Sequence, residues 1–144
     1  MDKMLKIADR VVGDNHPVFV IAEIGLNHNG KLELAKKMVK AAKESGADAV
    51  KFQKRDLKSL YKKDVYENPN KDSQSTSYLF GIFKKFELSK KDFIELKKYC
   101  EHLGIIFFCT PFDIKSAEFL SHLDVPIYKI SSADLTNIPL INFI

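Results

Sequence analysis

The sequence predicts an α/β chain built as the first half of a (β/α)8 TIM barrel, with parallel strands preceded by an N-terminal β-hairpin. Three observations carry this expectation. Short apolar runs recur at 18–22, 48–52, 105–108 and 126–130, helical periodicities separate them, and polar residues close each run. Such runs are the pattern of strands covered on both faces, and strand–helix–strand alternation implies parallel pairing through right-handed crossovers. An open doubly wound sheet fits the same rhythm. The polar strand ends favour the barrel, which gathers its strand ends around one mouth. A full barrel takes about 250 residues. The 144 residues are therefore expected to form a single incomplete domain, 1–144, with 45% hydrophobic content sufficient for a core.

Residues 5–12 and 17–22 read as two strands around the turn-rich Gly13-Asp14-Asn15-His16-Pro17, which is the expected hairpin. Val18-Phe19-Val20-Ile21-Ala22 then gives way to the polar, glycine-bearing octet Glu23 to Gly30. Leu34/Ala35, Met38/Val39 and Ala42 recur at helical spacing, and Ser45-Gly46 stops that helix where glycine suits a left-handed cap. The strand at Asp48-Ala49-Val50-Lys51-Phe52-Gln53 is unusual, because Lys51 and Gln53 project from the same face of a run that otherwise reads as buried. A buried ammonium finds an anion, loses its proton or reaches water.

Residues 54–88 break the rhythm with a long polar segment, read as a lid or insert holding one amphipathic piece at Leu79, Ile82, Phe83 and Phe86. Ser89 is placed to cap the next helix with Asp92 three residues on, and Leu88 with Phe93 to staple it. Its core face is Phe93, Leu96, Cys100 and Leu103, with Gly104 as the stop. The strand Ile105-Ile106-Phe107-Phe108 runs into Cys109-Thr110-Pro111-Phe112-Asp113, where Asp113 caps a helix through about Leu123. A fourth strand is expected at Pro126-Ile127-Tyr128-Lys129-Ile130, leading to Ser131-Ser132-Ala133-Asp134 and a last helix near Ile138.

Composition narrows the partners. The net charge of +4 is mildly basic, but the lysines fall in pairs such as Lys36-Lys37 and Lys97-Lys98 on solvated helix faces, so no nucleic-acid partner is expected. Two cysteines make neither a metal spacing nor a disulfide framework, which fits a reducing, cytoplasmic setting. No signal-like region opens the chain and no run approaches membrane-spanning length, so no membrane partner is expected.

The chemistry-bearing residues gather at the expected strand ends: Glu23, Lys51 with Gln53, Thr110, and Lys129 with Ser132. Two lysines, two hydroxyls and the backbone amides near Ser131-Ser132-Ala133 suit a phosphate or carboxylate. Each member alone also has a plainer reading. A lysine at a strand end reaches solvent or pairs with a carboxylate, Glu23 neutralises Lys51, and Asn27 and His28 form a helix-entry turn beside Gly30. No metal-type histidine or cysteine cluster is present.

Four motifs together resemble the sialic acid synthase family, comprising N-acetylneuraminate synthase and its legionaminate and spore-coat polysaccharide relatives. They are Ile21-Ala22-Glu23-Ile24-Gly25-Leu26-Asn27-His28-Asn29-Gly30, Gly46-Ala47-Asp48-Ala49-Val50-Lys51-Phe52-Gln53, Cys109-Thr110-Pro111-Phe112-Asp113 and Tyr128-Lys129-Ile130-Ser131-Ser132. The resemblance implies a phosphoenolpyruvate-dependent transferase of carbohydrate (sialic acid) biosynthesis. Phosphoenolpyruvate would condense with the open-chain aldehyde of an N-acetylated hexosamine, N-acetylmannosamine or a related sugar, giving a nonulosonic acid and phosphate. It implies catalytic roles for Glu23, Lys51 and Lys129, with phosphoenolpyruvate held by Lys51, Thr110, Lys129 and Ser132. Gln53 is expected on the sugar, with Asp134, Asn27 and His28 completing the substrate-binding set. Asp134 stands where relatives often carry glutamate, Ala133 where glycine is frequent and Cys109 where serine is frequent. A divalent metal, Mn or Mg, is implied with its ligands outside this chain, as is a homo-oligomer, a dimer, while the fragment alone is expected to be inactive. Two other readings stand beside this one: a Schiff-base aldolase using Lys51 or Lys129, and a non-catalytic anion-binding half-barrel.

Overall fold

The computed structural model describes residues 4–144. Its centre is a parallel three-stranded sheet of Ile21–Gly25, Ala49–Lys54 and Ile106–Pro111 in that spatial order. Before it, Leu5–Ile7 (β1) and Arg10–Val12 (β2) form a separate antiparallel ribbon, with Leu5 opposite Val12. The three sheet strands are β3, β4 and β5.

The opening hairpin differs from the expected one. Residues 5–12 fold back on themselves at Ala8, whose φ is 52°, instead of pairing with 17–22. Residues 17–20 have little to offer a ladder: Pro17 lacks an N–H, and the Val20 N–H donates to an Asp48 carboxylate oxygen at 2.8 Å. The other Asp48 oxygen pairs with Arg10 at 2.8 Å, so one carboxylate holds both the ribbon and the approach to β3.

The parallel strands run further than the apolar pattern indicates. Glu23, Gln53 and Thr110 lie within β3, β4 and β5, not beyond their ends. Alternation explains the shift. Glu23 sits opposite Lys51, Lys51 opposite Phe108, and Gln53 opposite Thr110, so one face takes these polar side chains. The intervening residues Val50, Phe52, Phe107 and Cys109 form the apolar core on the other face. A register shift between Glu23 and Gly25 breaks the ladder at the end of β3.

The fourth expected strand, 126–130, is reduced to one bridge. Cys109 pairs in parallel with Tyr128, and the Lys129 N–H reaches the Cys109 carbonyl at 3.2 Å. Pro126 cannot donate to a ladder, and no strand among the described residues covers the far side of this segment.

Helices α1 (Leu32–Glu44), α5 (Lys90–Leu103) and α6 (Ile114–His122) pack on the apolar face of the sheet. Ala35 and Val39 of α1, Phe93, Leu96 and Cys100 of α5, and Leu120 of α6 meet the strand residues in one cluster. The ends obey the expected signals. Ser89 and Asp92 form a reciprocal capping box, Leu88 and Phe93 are both buried beneath it, and Gly104 closes α5 in the left-handed region. Asp113 caps α6 through the Ser116 N–H at 2.8 Å.

The 54–88 segment is largely helical: α2 (Leu57–Leu60), α3 (Lys63–Glu67), a 3-10 turn (Pro69–Lys71) and α4 (Gln74–Phe86). The buried anchor of α4 is Phe80, set edge-on to Tyr61 and Tyr66 at 5.2 and 5.8 Å, while Leu79 is 43% exposed. Ile82, Phe83 and Phe86 of the expected face are half-buried as read, while Phe80 takes the place of Leu79 as the innermost residue because its aromatic partners come from α3 and the end of α2. A 3-10 turn (Ser132–Asp134) and α7 (Ile138–Phe143) complete the chain.

Two glycines separate backbone demand from simple tolerance. Gly30 has φ +71°, and a Cβ there would stand 2.8 Å from the Lys85 carbonyl oxygen at the end of α4, whereas Gly81 lies in the interior of α4 with open space around it. Gly30→Ala is expected to destabilise the protein by more than about 1 kcal/mol, and Gly81→Ala to stabilise it by about 0.5–1 kcal/mol. Urea denaturation of the two variants reads opposite shifts in midpoint.

Candidate active site

The polar face of the sheet is built around Lys51. Central in β4, it is 8% exposed, and its ammonium makes an ion pair with Glu23 of β3 and donates to Thr110 Oγ1 of β5 at 3.2 Å. Each neighbouring strand therefore supplies one partner. The two partners differ in access: Thr110 is 2% exposed, whereas the Glu23 side chain is half exposed. The pair thus has a buried cation and a carboxylate that faces outward, an arrangement in which an arriving anion meets Lys51 by displacing or sharing with Glu23.

Gln53 continues the same face one pleat further. Its Oε1 accepts from Arg55 Nη2 at 2.6 Å. Gly25, at φ +57°, makes room between the strands: a Cβ there would lie 3.1 Å from Glu23 Oε1 and 3.4 Å from Gln53 Nε2. Glu23, Lys51, Gln53 and Thr110 are thus brought together.

The remaining expected residues lie apart from that contact set. Lys129 and Ser132 are exposed. Asp134 is buried, with Oδ1 accepting from Asn137 Nδ2 at 3.0 Å and Oδ2 without a partner among the described residues. Asn27 is exposed and donates to the Ile24 carbonyl at 2.9 Å, closing the turn after β3. His28 is 1% exposed and packs beside the Phe52 ring, 5.9 Å between centroids. Its Nδ1 accepts the Gly30 N–H at 3.1 Å, which leaves the proton of the neutral ring on Nε2, a buried atom without a hydrogen-bond partner among the described residues. Burial lowers the His28 pKa below the ordinary histidine value, with the Gly25 backbone partly opposing.

Sequence reasoning missed a second charged cluster at the root of the insert. Lys54 donates to Glu87 at 2.6 Å and to the Arg55 carbonyl at 2.9 Å, and the Arg55 N–H reaches the same Glu87 oxygen at 3.3 Å. Burial raises the Glu87 pKa, opposed by the charge of Lys54. The Arg55 guanidinium lies over the Phe83 and Phe112 rings, 4.1 and 3.8 Å from their centroids. The alternation 51, 53, 55 was available as a signal, since it carries a polar side chain at every second position.

Neither cysteine is a nucleophile here. Burial pushes the Cys100 thiol up to about 12 and the Cys109 thiol well above its ordinary value, and both are free and buried. Among the described residues no group of three or more His, Cys, Asp or Glu side chains could hold a metal ion, and no helix is long and apolar enough to cross a membrane.

A family model described as the NeuB family matches residues 38–144. The chain belongs to the NeuB family. Several of the relatives it matches are named as synthases of N-acetylneuraminate-9-phosphate, N,N'-diacetyllegionaminic acid or pseudaminic acid. Over 131 residues it is 46% identical to the N,N'-diacetyllegionaminic acid synthase of Legionella pneumophila, covering 88% of this chain and 36% of that protein. It is 42% identical over 131 residues to human N-acetylneuraminate-9-phosphate synthase, covering 90% of this chain and 36% of that protein. In structure it matches the N-acetylneuraminic acid synthetase of Leptospira borgpetersenii with a TM-score of 0.82 at 35% identity, over 99% of this chain and 46% of that one. The NeuB-family chain described here thus spans 36% of the length of the two curated relatives and 46% of the solved one.

The buried, neutral His28 has a consequence for stability. Because its folded pKa lies below the unfolded value near 6.5, the unfolded chain takes up the proton first as pH falls, and stability present above about pH 6.5 is lost below it. The unfolding free energy from urea titration is expected to fall between pH 7 and 5, by at most about 1.4 kcal/mol per pH unit for this one proton. His28→Asn, which keeps an acceptor for the Gly30 N–H, is expected to remove that component.

Proposed function

We propose that this chain is the N-terminal portion of a sialic acid synthase-like transferase that condenses phosphoenolpyruvate with the open-chain aldehyde of an N-acetylated hexosamine, N-acetylmannosamine or a relative. The products are a nonulosonic acid and phosphate. The observation that carries this reading is the buried Lys51 ammonium, held by Glu23 and Thr110 on the polar face of a parallel sheet. Family membership and the names of the relatives support the class of sugar.

In the proposed reaction, C3 of the enol attacks the aldehyde, water adds at C2, and the tetrahedral intermediate collapses with loss of phosphate. Phosphoenolpyruvate brings about three negative charges, and preorganised cations and donors are the efficient way to hold them. Lys51 and Thr110 supply one cation and one hydroxyl from adjacent strands, with Lys129 and Ser132 assigned to the same ligand. Glu23, next to Lys51 and open to the mouth, is assigned proton transfer or stabilisation of developing positive charge. Gln53 is assigned to the sugar, with Asn27, His28 and Asp134 in supporting positions. Among the described residues no group of side chains makes a site for the divalent Mn or Mg ion that the resemblance implies.

The same proposal places the sheet in a (β/α)8 barrel. The packing of α1, α5 and α6 on one sheet face supports this, since a doubly wound sheet carries helices on both. The helical 54–88 insert is then a lid over the mouth. A cytoplasmic dimer is the expected setting, and residues 1–144 alone are expected to be inactive.

The test is phosphate release and product formation from phosphoenolpyruvate with a panel of N-acylated hexosamines, in the full polypeptide that carries these residues. Lys51→Met is expected to lower kcat/KM by at least about a thousandfold, a loss of roughly 4 kcal/mol. Glu23→Gln removes a charge that competes for Lys51, so KM for phosphoenolpyruvate and kcat are both expected to fall. Lys51 is engaged by a carboxylate and a hydroxyl instead of sitting in an apolar pocket, so borohydride with pyruvate is expected to leave no adduct. A covalent pyruvate adduct, or no phosphoenolpyruvate-dependent product with any sugar, would overturn the proposal.

A further inference from the structure

Arg55 is placed oddly for a surface cation. It is only 5% exposed, its guanidinium lies over Phe112 and Phe83, and its buried Nη1 has no hydrogen-bond partner among the described residues. Among the described residues its one side-chain hydrogen bond is to Gln53 Oε1, at 2.6 Å. A guanidinium can only donate, so the atom it meets must be the amide oxygen, and the orientation of the Gln53 amide is thereby fixed. The NH2 group then points the opposite way, to within 3.4 Å of the space left by the missing Cβ of Gly25, where the Glu23 carboxylate also arrives.

We infer that Arg55 is a positioning residue that locks the Gln53 amide with its NH2 group toward the mouth, so that the site offers a hydrogen-bond donor to an acceptor oxygen of the acylated sugar. The sugar part of this statement rests on the function proposed above; the locking of the amide does not. The Phe83 and Phe112 rings lie 4.1 and 3.8 Å from the guanidinium carbon and confine the planar group whose Nη2 donates to Gln53. Phe83 belongs to α4, so the insert sets the polarity of a substrate-facing group without itself touching the substrate. Lysine at this position would lack both the plane and the fork.

Two measurements test this. In the wild-type protein, nuclear Overhauser contacts are expected between the Gln53 side-chain NH2 protons and the Gly25 α protons; their absence, with the amide resonances assigned, overturns the inference without any assay of activity. In a double-mutant cycle, Arg55→Met is expected to raise KM for the sugar about tenfold while leaving KM for phosphoenolpyruvate within about twofold. The same substitution in a Gln53→Met background is expected to add nothing. An equal rise for both substrates, or the same rise in both backgrounds, overturns it. A full polypeptide carrying these residues that shows no phosphoenolpyruvate-dependent turnover contradicts the proposed function instead, and the amide contacts still decide the role of Arg55.

Discussion

An ammonium set inside a parallel sheet is the constraint on which the polar face depends. Burying Lys51 without compensation would cost several kcal/mol, and the compensation arrives from both neighbours at once, Glu23 on β3 and Thr110 on β5. This requires three parallel strands in one register, so the helices that cover the opposite face support the charge arrangement indirectly. Phe52 and Val50 point into that helical core from the same strand that carries Lys51 and Gln53 outward. The apolar core and the polar cluster are thus divided between the two faces of one strand.

The insert is bound into this arrangement at its root and not only covalently. Glu87, its last charged residue, is held by Lys54, and the Asp56 N–H donates to the Asp113 carboxylate at 2.8 Å, tying the start of the insert to the cap of α6. Gly30 lies against the end of α4, so the turn after β3 also depends on where the insert sits. Arg55 stands where these connections meet the polar face. The segment is thus fastened to the sheet at several points, and its α4 meets the polar face through Arg55 and Gln53.

Much of this was legible in the sequence because the signals were local. The α5 capping box, the Gly104 stop, the Asp113 cap and the helical period of α1 each depend on residues within one or two turns of one another. Lys51 announced itself as a cation in an apolar run. What could not be read were features decided by partners distant in the chain. The 5–12 ribbon forms because Asp48 claims Val20 and Arg10, the 126–130 segment stays a single bridge, and α4 turns Phe80 toward Tyr61 and Tyr66. The Arg55 clamp joins residues 53, 55, 83 and 112. No local pattern specifies such a set, although the polar alternation along β4 marks where to look.

The central claim is that Lys51 is an anion-binding cation and not merely the partner of Glu23. Calorimetric titration of phosphoenolpyruvate into the wild-type protein and into Lys51→Met tests it most directly. The account predicts saturable binding by the wild type that is lost in Lys51→Met while the variant keeps its fold by circular dichroism. Binding of equal affinity by the two proteins would contradict it.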